Sequence, residues 1–140
     1  MTIWKHGFSV ELANAMGVNN AAAHLGIEVV DAGDDYLKGR MPVDERTRQP
    51  FGVLHGGASI LFAETLGSIG ANFVAGPDYA CFGQEVNGNH LRPATEGFVH
   101  GIAKPYHLGK KSHVWGIEIS DDAGNLVCVA RLTMAIVAKG

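Results

Sequence analysis

Cysteine is scarce: Cys81 and Cys128 are the only two among 140 residues. They form neither a disulfide framework nor a metal-ligand spacing, and nothing about them suggests an oxidising compartment, so both are expected to pack as small apolar side chains. Charge is scarce too. Asp, Glu, Lys and Arg make up 18% of the chain and the formal net charge is −3, which excludes a broad nucleic-acid footprint. Any anionic ligand must be met by a local basic cluster. The seven histidines are not closely grouped, which speaks against a zinc site, and no metal is expected. The start, MTIWKHGFSVEL, has no continuous apolar run and no small-residue cleavage pattern, so a cytoplasmic location is expected.

Other absences narrow the chemistry. Gly57-Ala58-Ser59-Ile60-Leu61 lacks the second glycine of a nucleophile elbow. The glycine-rich segments lack the Gly-Lys-Ser/Thr ending of a phosphate loop, and no dinucleotide fingerprint lies between a strand and a helix. There is no repeat, linker or low-complexity tract. The length suits a single domain over residues 1–140, because two domains would leave neither with a proper core. With 46% hydrophobic residues and few charges, the composition hints that surface is hidden by self-association.

What is present reads as one long helix set among strands. A short helix spans Ser9 to Met16, with Ser9 as N-cap and Gly17 as its stop. GIEVVDAGDDYLKGRMPVD has two extended runs about a turn, and 46–50 is loop. The long helix starts near His55 or Gly56 and fades by Gly76-Pro77. Phe62, Leu66, Ile69 and Phe73 recur at helical spacing on one face, with Ala58, Ala63 and Gly70. Strands follow at roughly 80–92, 96–106, 112–120 and 126–138, with DDAGN turning between the last two. Val99, Gly101 and Ala103 form a face of small side chains against which a helix can lie closely. The predicted class is α+β, an antiparallel sheet of about five strands wrapped around one central helix. Its edges need covering, and GQEVNGNHLRP, polar on both faces, is expected to line an interface or a site.

Glu64 is the only charged residue between Gln49 and Pro77. A membrane span over this stretch is disfavoured, since a central acid costs ~2.5–3.5 kcal/mol and the flanks lack basic asymmetry. Glu64, Thr65, Ser68 and Asn72 share a ~100° sector of the helix, which suits either a solvated stripe or a lined cleft. Solvated faces usually mix charges of both signs, and this one does not. An acid in such a cleft is desolvated and more basic, fit to act as a general base or a nucleophile. Ser68, one turn on, can hold a water against it. At the helix start, the first-turn N–H groups at Gly56 and Gly57 favour a developing oxyanion, and His55 and Gln49 can add side-chain donors. Taken singly, each also has a bland explanation in packing, capping or loop structure. Gly56 and Glu64 lie ~12 Å apart along the axis at ~1.5 Å per residue, too far to serve one carbonyl. An antiparallel helix from a second copy would close that gap, which predicts a homodimer with two shared sites.

MPVDERTRQPFGVLHGGAS, AETLGSIGA, NGNHLRP and KPYHLG, in that order, resemble the hot-dog-fold acyl-CoA thioesterases. The nearer likeness is to the branch of dihydroxynaphthoyl-CoA, enterobactin-proofreading and 4-hydroxybenzoyl-CoA thioesterases. It extends over nearly the whole chain, from IWK to VWGIEISDDAGNLVC. The resemblance implies a five-stranded sheet around one helix, dimers, and commonly homotetramers. It implies Glu64 as the catalytic carboxylate, Ser68 placing the water, and Gln49, His55 and the Gly56 amide polarising the thioester carbonyl across the subunit boundary. His90 and Arg92, with the turn His107, Gly109, Lys110, Lys111 and Ser112, become candidate contacts for the CoA phosphates; Lys110 and Lys111 depart from residues often found there. An apolar pocket around Phe62 and the helix stripe would take an aromatic acyl group. The substrate is a small-molecule acyl-CoA, or an acyl carrier protein thioester, and no cofactor is called for beyond the CoA of the substrate. No nucleic-acid or membrane partner is expected. Two other readings stay open: a hot-dog hydratase or dehydratase, and a non-catalytic acyl-CoA-binding module.

Overall fold

In the computed structural model, which describes residues 1–140, one helix of twenty residues lies against a single antiparallel sheet. The N-terminus forms two short helices, α1 (Val10–Ala15) and α2 (Ala21–His24). Ser9 caps α1 by accepting from the Leu12 N–H at 3.1 Å, and Asn20 caps α2 by accepting from the Ala23 N–H at 3.1 Å. Strands β1 (Glu28–Ala32) and β2 (Leu37–Pro42) form the first hairpin, the long helix is α3 (Gly56–Ala75), and β3 (Tyr79–His90), β4 (Phe98–Leu108), β5 (Ser112–Ser120) and β6 (Leu126–Ala138) complete the chain.

The sheet has six strands in the order β1-β2-β4-β5-β6-β3, one more than expected, because both arms of the first hairpin join it. The strand after α3 crosses to the far edge and pairs only with β6, while β4, β5 and β6 follow as a meander. β3 ends at His90, short of the expected 92, since Leu91 donates the last ladder bond to Val127 and Pro93 has no N–H to continue. Pro105 is tolerated in β4 next to a bulge between Pro105 and His107.

Periodicity fixes which faces meet. On β5, His113, Trp115, Ile117 and Ile119 are buried and their neighbours are not, the alternation of a strand with one covered face. Val99, Gly101 and Ala103 of β4 are buried beneath α3. A methyl on Gly101 would come within 2.6 Å of Leu66 Cδ1 and 3.0 Å of Phe62 Cζ, so the missing side chain is what seats the helix. Phe62 and Leu66 are fully buried, each contributing ~1.5–3 kcal/mol by leaving water. An aromatic group closes the end of the core: Trp4 lies 4.9 Å from Phe8 and 6.4 Å from Trp115, and Phe8 lies 4.5 Å from Phe73. The Trp4 indole N–H donates to the Gly33 carbonyl at 2.7 Å, which ties the N-terminus to the β1–β2 turn. The one helix long and apolar enough to cross a membrane, Gly56–Ala75, is this core helix. Cys81 and Cys128 are free and buried, and burial pushes both thiols up.

Candidate active site

His55 caps α3. Its Nδ1 accepts from the Gly57 N–H at 2.8 Å, which makes Nε2 the protonated nitrogen of the neutral ring and a donor facing outward. Gly56 is the first helical residue, so its N–H has no acceptor within the helix. Gln49 sits in the preceding loop, which closes on itself: its N–H donates to Val53 O at 2.8 Å and its carbonyl accepts from Gly52 at 2.9 Å. The Gln49 side-chain oxygen takes the Phe51 N–H, which leaves the amide NH2 as the free end. Gln49 and Gly56 border a groove of about 350 Å³ together with His90 and Arg92, while His55 is exposed beside it and is not part of its lining. The His90 ring rests directly on Gly56, with Nε2 2.7 Å from where a Cβ would stand.

Glu64 lies in a separate cleft of about 300 Å³. Thr65, Ser68 and Asn72 line it as well, so the polar sector of α3 faces a cleft rather than open solvent. Its opposite wall comes from the N-terminal segment, including Asn14, Met16 and Asn20, and from Ile27 and Val29. Asn14 is a structural pin there, bonded to both the N–H and the carbonyl of Val29 at 2.8 and 2.9 Å. The Ser68 hydroxyl lies 3.6 Å from Met134 Sδ, and Asn72 bridges Ser68 O and the Cys81 N–H at 2.8 and 3.1 Å.

Some expected residues are elsewhere. Phe62 is fully buried between α3 and the sheet; of the helix stripe Ile69 does line the Glu64 cleft, and the rest of its apolar wall is Leu61, Ile27 and Val29. A residue on the sheet-facing side of α3 is shielded by the very packing that made it conspicuous. His90 and Arg92 are not beside the His107–Ser112 turn. Leu108 pairs with His113, His113 with Met134 and Met134 with Gly83, which aligns that turn with the Gly83 end of β3. His90 is ~20 Å along the strand from Gly83 at ~3.3 Å per residue. Lys110 and Lys111 are exposed and His107 folds over Gly109. His113 is buried, and its basicity is pushed down to about 4, first by desolvation and then by repulsion from His107. The N-terminal wall of the Glu64 cleft had no signal in the sequence beyond a capped helix, since nothing local says against what α1 packs.

The long helix thus carries an acid in one cleft and a set of N–H donors at its start beside another. Residues 51–128 match the model of the thioesterase superfamily, and the chain belongs to that family as a hot-dog-fold thioester hydrolase. It is 48% identical over 134 residues to the 1,4-dihydroxy-2-naphthoyl-CoA hydrolase of Escherichia coli, covering 96% of this chain and 98% of that protein. It is 46% identical over 135 residues to a proofreading thioesterase of Cronobacter turicensis, covering 96% and 98%. The structure of a thioesterase from Haemophilus influenzae superposes with a TM-score of 0.95 at 42% identity, covering 98% of this chain and 96% of that one.

Proposed function

We propose that this protein hydrolyses aromatic acyl-CoA thioesters to the free acid and CoA, at two sites shared across a homodimer. The observation that carries the reading is the separation of the two clefts. The acid of a thioester hydrolase and its carbonyl-polarising donors would stand in different clefts of one chain, and both must reach one carbonyl at ~3 Å. Along α3 and β3 the contacts run in opposite order: Gly56 meets His90, Ile60 meets Gly88, and Glu64 meets Gly83. β3 is a free sheet edge. A two-fold axis near Val86–Asn87, pairing two β3 edges antiparallel, would set Glu64 of one copy against Gly56 and His90 of its partner. The same operation would bring Arg92 towards the partner's turn at Lys110 and Lys111, which supports a joint role in binding the CoA phosphates.

In this reading Gly56 N–H, His55 Nε2–H and the Gln49 amide donate to the thioester oxygen, where negative charge develops as the carbonyl is attacked. Glu64 either attacks the carbonyl, giving an anhydride that water then opens, or takes a proton from water held with Ser68; one carboxylate serves both routes. Either way the C–S bond breaks, CoA leaves as the thiol and one water is consumed. Burial of the acyl group against Leu61, Ile69, Ile27 and Val29 suits a flat apolar ring. The names of the relatives, which include a naphthoyl-CoA hydrolase, point the same way. Thiol release measured across aryl, short and long acyl thioesters, on CoA and on carrier-protein handles, tests this. The highest kcat/KM is expected for an aroyl-CoA; absence of thiol release, with hydration of an enoyl-CoA instead, overturns it, and tight binding without turnover does the same in favour of a binding module.

A further inference from the structure

The Glu64 side chain rests on the backbone of β3 at Gly83. A methyl group on Gly83 would overlap Glu64 Oε2, and would stand 3.1 Å from Cδ and 3.6 Å from Cγ. β3 is irregular at the same place: Gly83 opposes Met134 and Glu85 opposes Thr133, so Gln84 is the extra residue of a bulge. Bulges bend a strand locally and re-aim what lies beside it. Backbone freedom does not explain the glycine, because Gly83 is not among the residues of positive φ. Space does explain it. Gly88 on the same strand also faces α3, but what it accommodates is the aliphatic tip of Ile60.

We infer that Gly83 is a positioning residue for the reaction: its bare backbone, at the bulge, is the seat that fixes the direction of the Glu64 carboxylate. This rests on Glu64 being the reacting acid. A free glutamate side chain samples several rotamers, and only one presents the carboxylate to a carbonyl held elsewhere. A misplacement of about 1 Å can cost ~10²-fold in rate, so what limits the side chain's choices matters as much as the acid itself. The obstruction created by a methyl at Gly83 falls on the far end of a flexible side chain. Glu64 would therefore rotate away while the strand stays, and the fold would survive the change that misdirects the acid.

Gly83→Ala is expected to lower kcat ~10–10²-fold, with KM changed less than ~2-fold and the melting temperature nearly unchanged. Glu64→Asp supplies the decisive second arm, because the shorter acid, with its carboxyl carbon near the Cγ position 3.6 Å away, meets the added methyl far less closely than Oε2 does. In the Glu64→Asp background the Gly83→Ala change should cost less than ~3-fold, a coupling that general loosening of the strand would not produce. Equal losses in both backgrounds, full activity of Gly83→Ala, or a loss that follows the folded fraction in both would each overturn the inference. Glu64→Gln separates this from the underlying reading. If that variant is inactive while Gly83→Ala is fully active, only the seat has failed; if Glu64→Gln turns over normally, the Glu64 mechanism has failed and the seat with it.

Discussion

The two clefts along α3 are opposites in composition. The Glu64 cleft contains an acid and no cation, and its walls come from three different stretches of chain: α1–α2, β1 with the residue before it, and the middle of α3. The Gly56 groove contains Gln49, His90 and Arg92 with a helix N-terminus and no acid at all. A thioester needs both kinds of group, one to deliver or activate an oxygen and one to stabilise the charge left on the carbonyl. In the proposed mechanism, their separation on a single rod means that each chain holds halves of two different sites.

The contrast is sharpest if one cleft is disarmed at a time. Glu64→Gln keeps the shape and hydrogen-bonding size of the side chain but removes the proton acceptor; kcat should fall at least ~10³-fold with KM little changed, measured by thiol release. Gly56→Pro removes one donor from the other cleft and also pushes aside the His90 ring, which lies 2.7 Å from where its Cβ would stand; because proline suits the first helical position the helix should persist while kcat falls at least ~10²–10³-fold. Mixing these two inactive subunits is the direct test of sharing. Heterodimers would own one site with both halves intact, and recovery of part of the activity is expected; none, with heterodimers demonstrated, would mean that each chain works alone.

Smaller effects follow from the periphery. Arg92 is exposed, so Arg92→Ala should raise KM for a CoA thioester by ~10-fold and leave kcat nearly unchanged, with a smaller rise for a thioester lacking the nucleotide. His113 provides a stability signature. Its folded basicity, at about 4, lies below its ordinary value of 6.5, so the unfolded chain binds the proton more readily. Its contribution is therefore intact above pH ~6.5 and is lost as pH falls towards ~4, by at most about 3 kcal/mol. Denaturant unfolding of the wild type and His113→Gln should differ in pH slope across that window and run parallel above it.

Much of this was legible in the residues. Ser9 as a cap, the hairpin about AGDD, the start of α3 at His55-Gly56 and the alternation on β5 all depend on neighbours within a few positions, where side-chain chemistry and period act directly. The lone acid on a helix otherwise free of charge was visible for the same reason, and so was its sector with Thr65, Ser68 and Asn72. Phe62 shows the limit. Helical spacing says that a residue lies on an apolar face but not whether that face meets a sheet or a cleft: Ile69 of the stripe lines the cleft, Phe62 does not, and Leu61 from outside the stripe does.

The sequence by itself determined the elements and the chemistry they carry, because hydrophobic period, capping and charge placement are properties of short stretches. Only the tertiary structure decided that β3 leaves α3, crosses to the far edge and runs back along the helix, laying Gly83 on Glu64 and His90 on Gly56. Strand order depends on pairings between residues distant in the chain, and no local pattern records them. The same is true of the α1–α2 wall and of the distance between Arg92 and the Lys110-Lys111 turn. The acid was evident from its isolation; the glycine that holds it in place was one of nineteen until the fold set the two against each other.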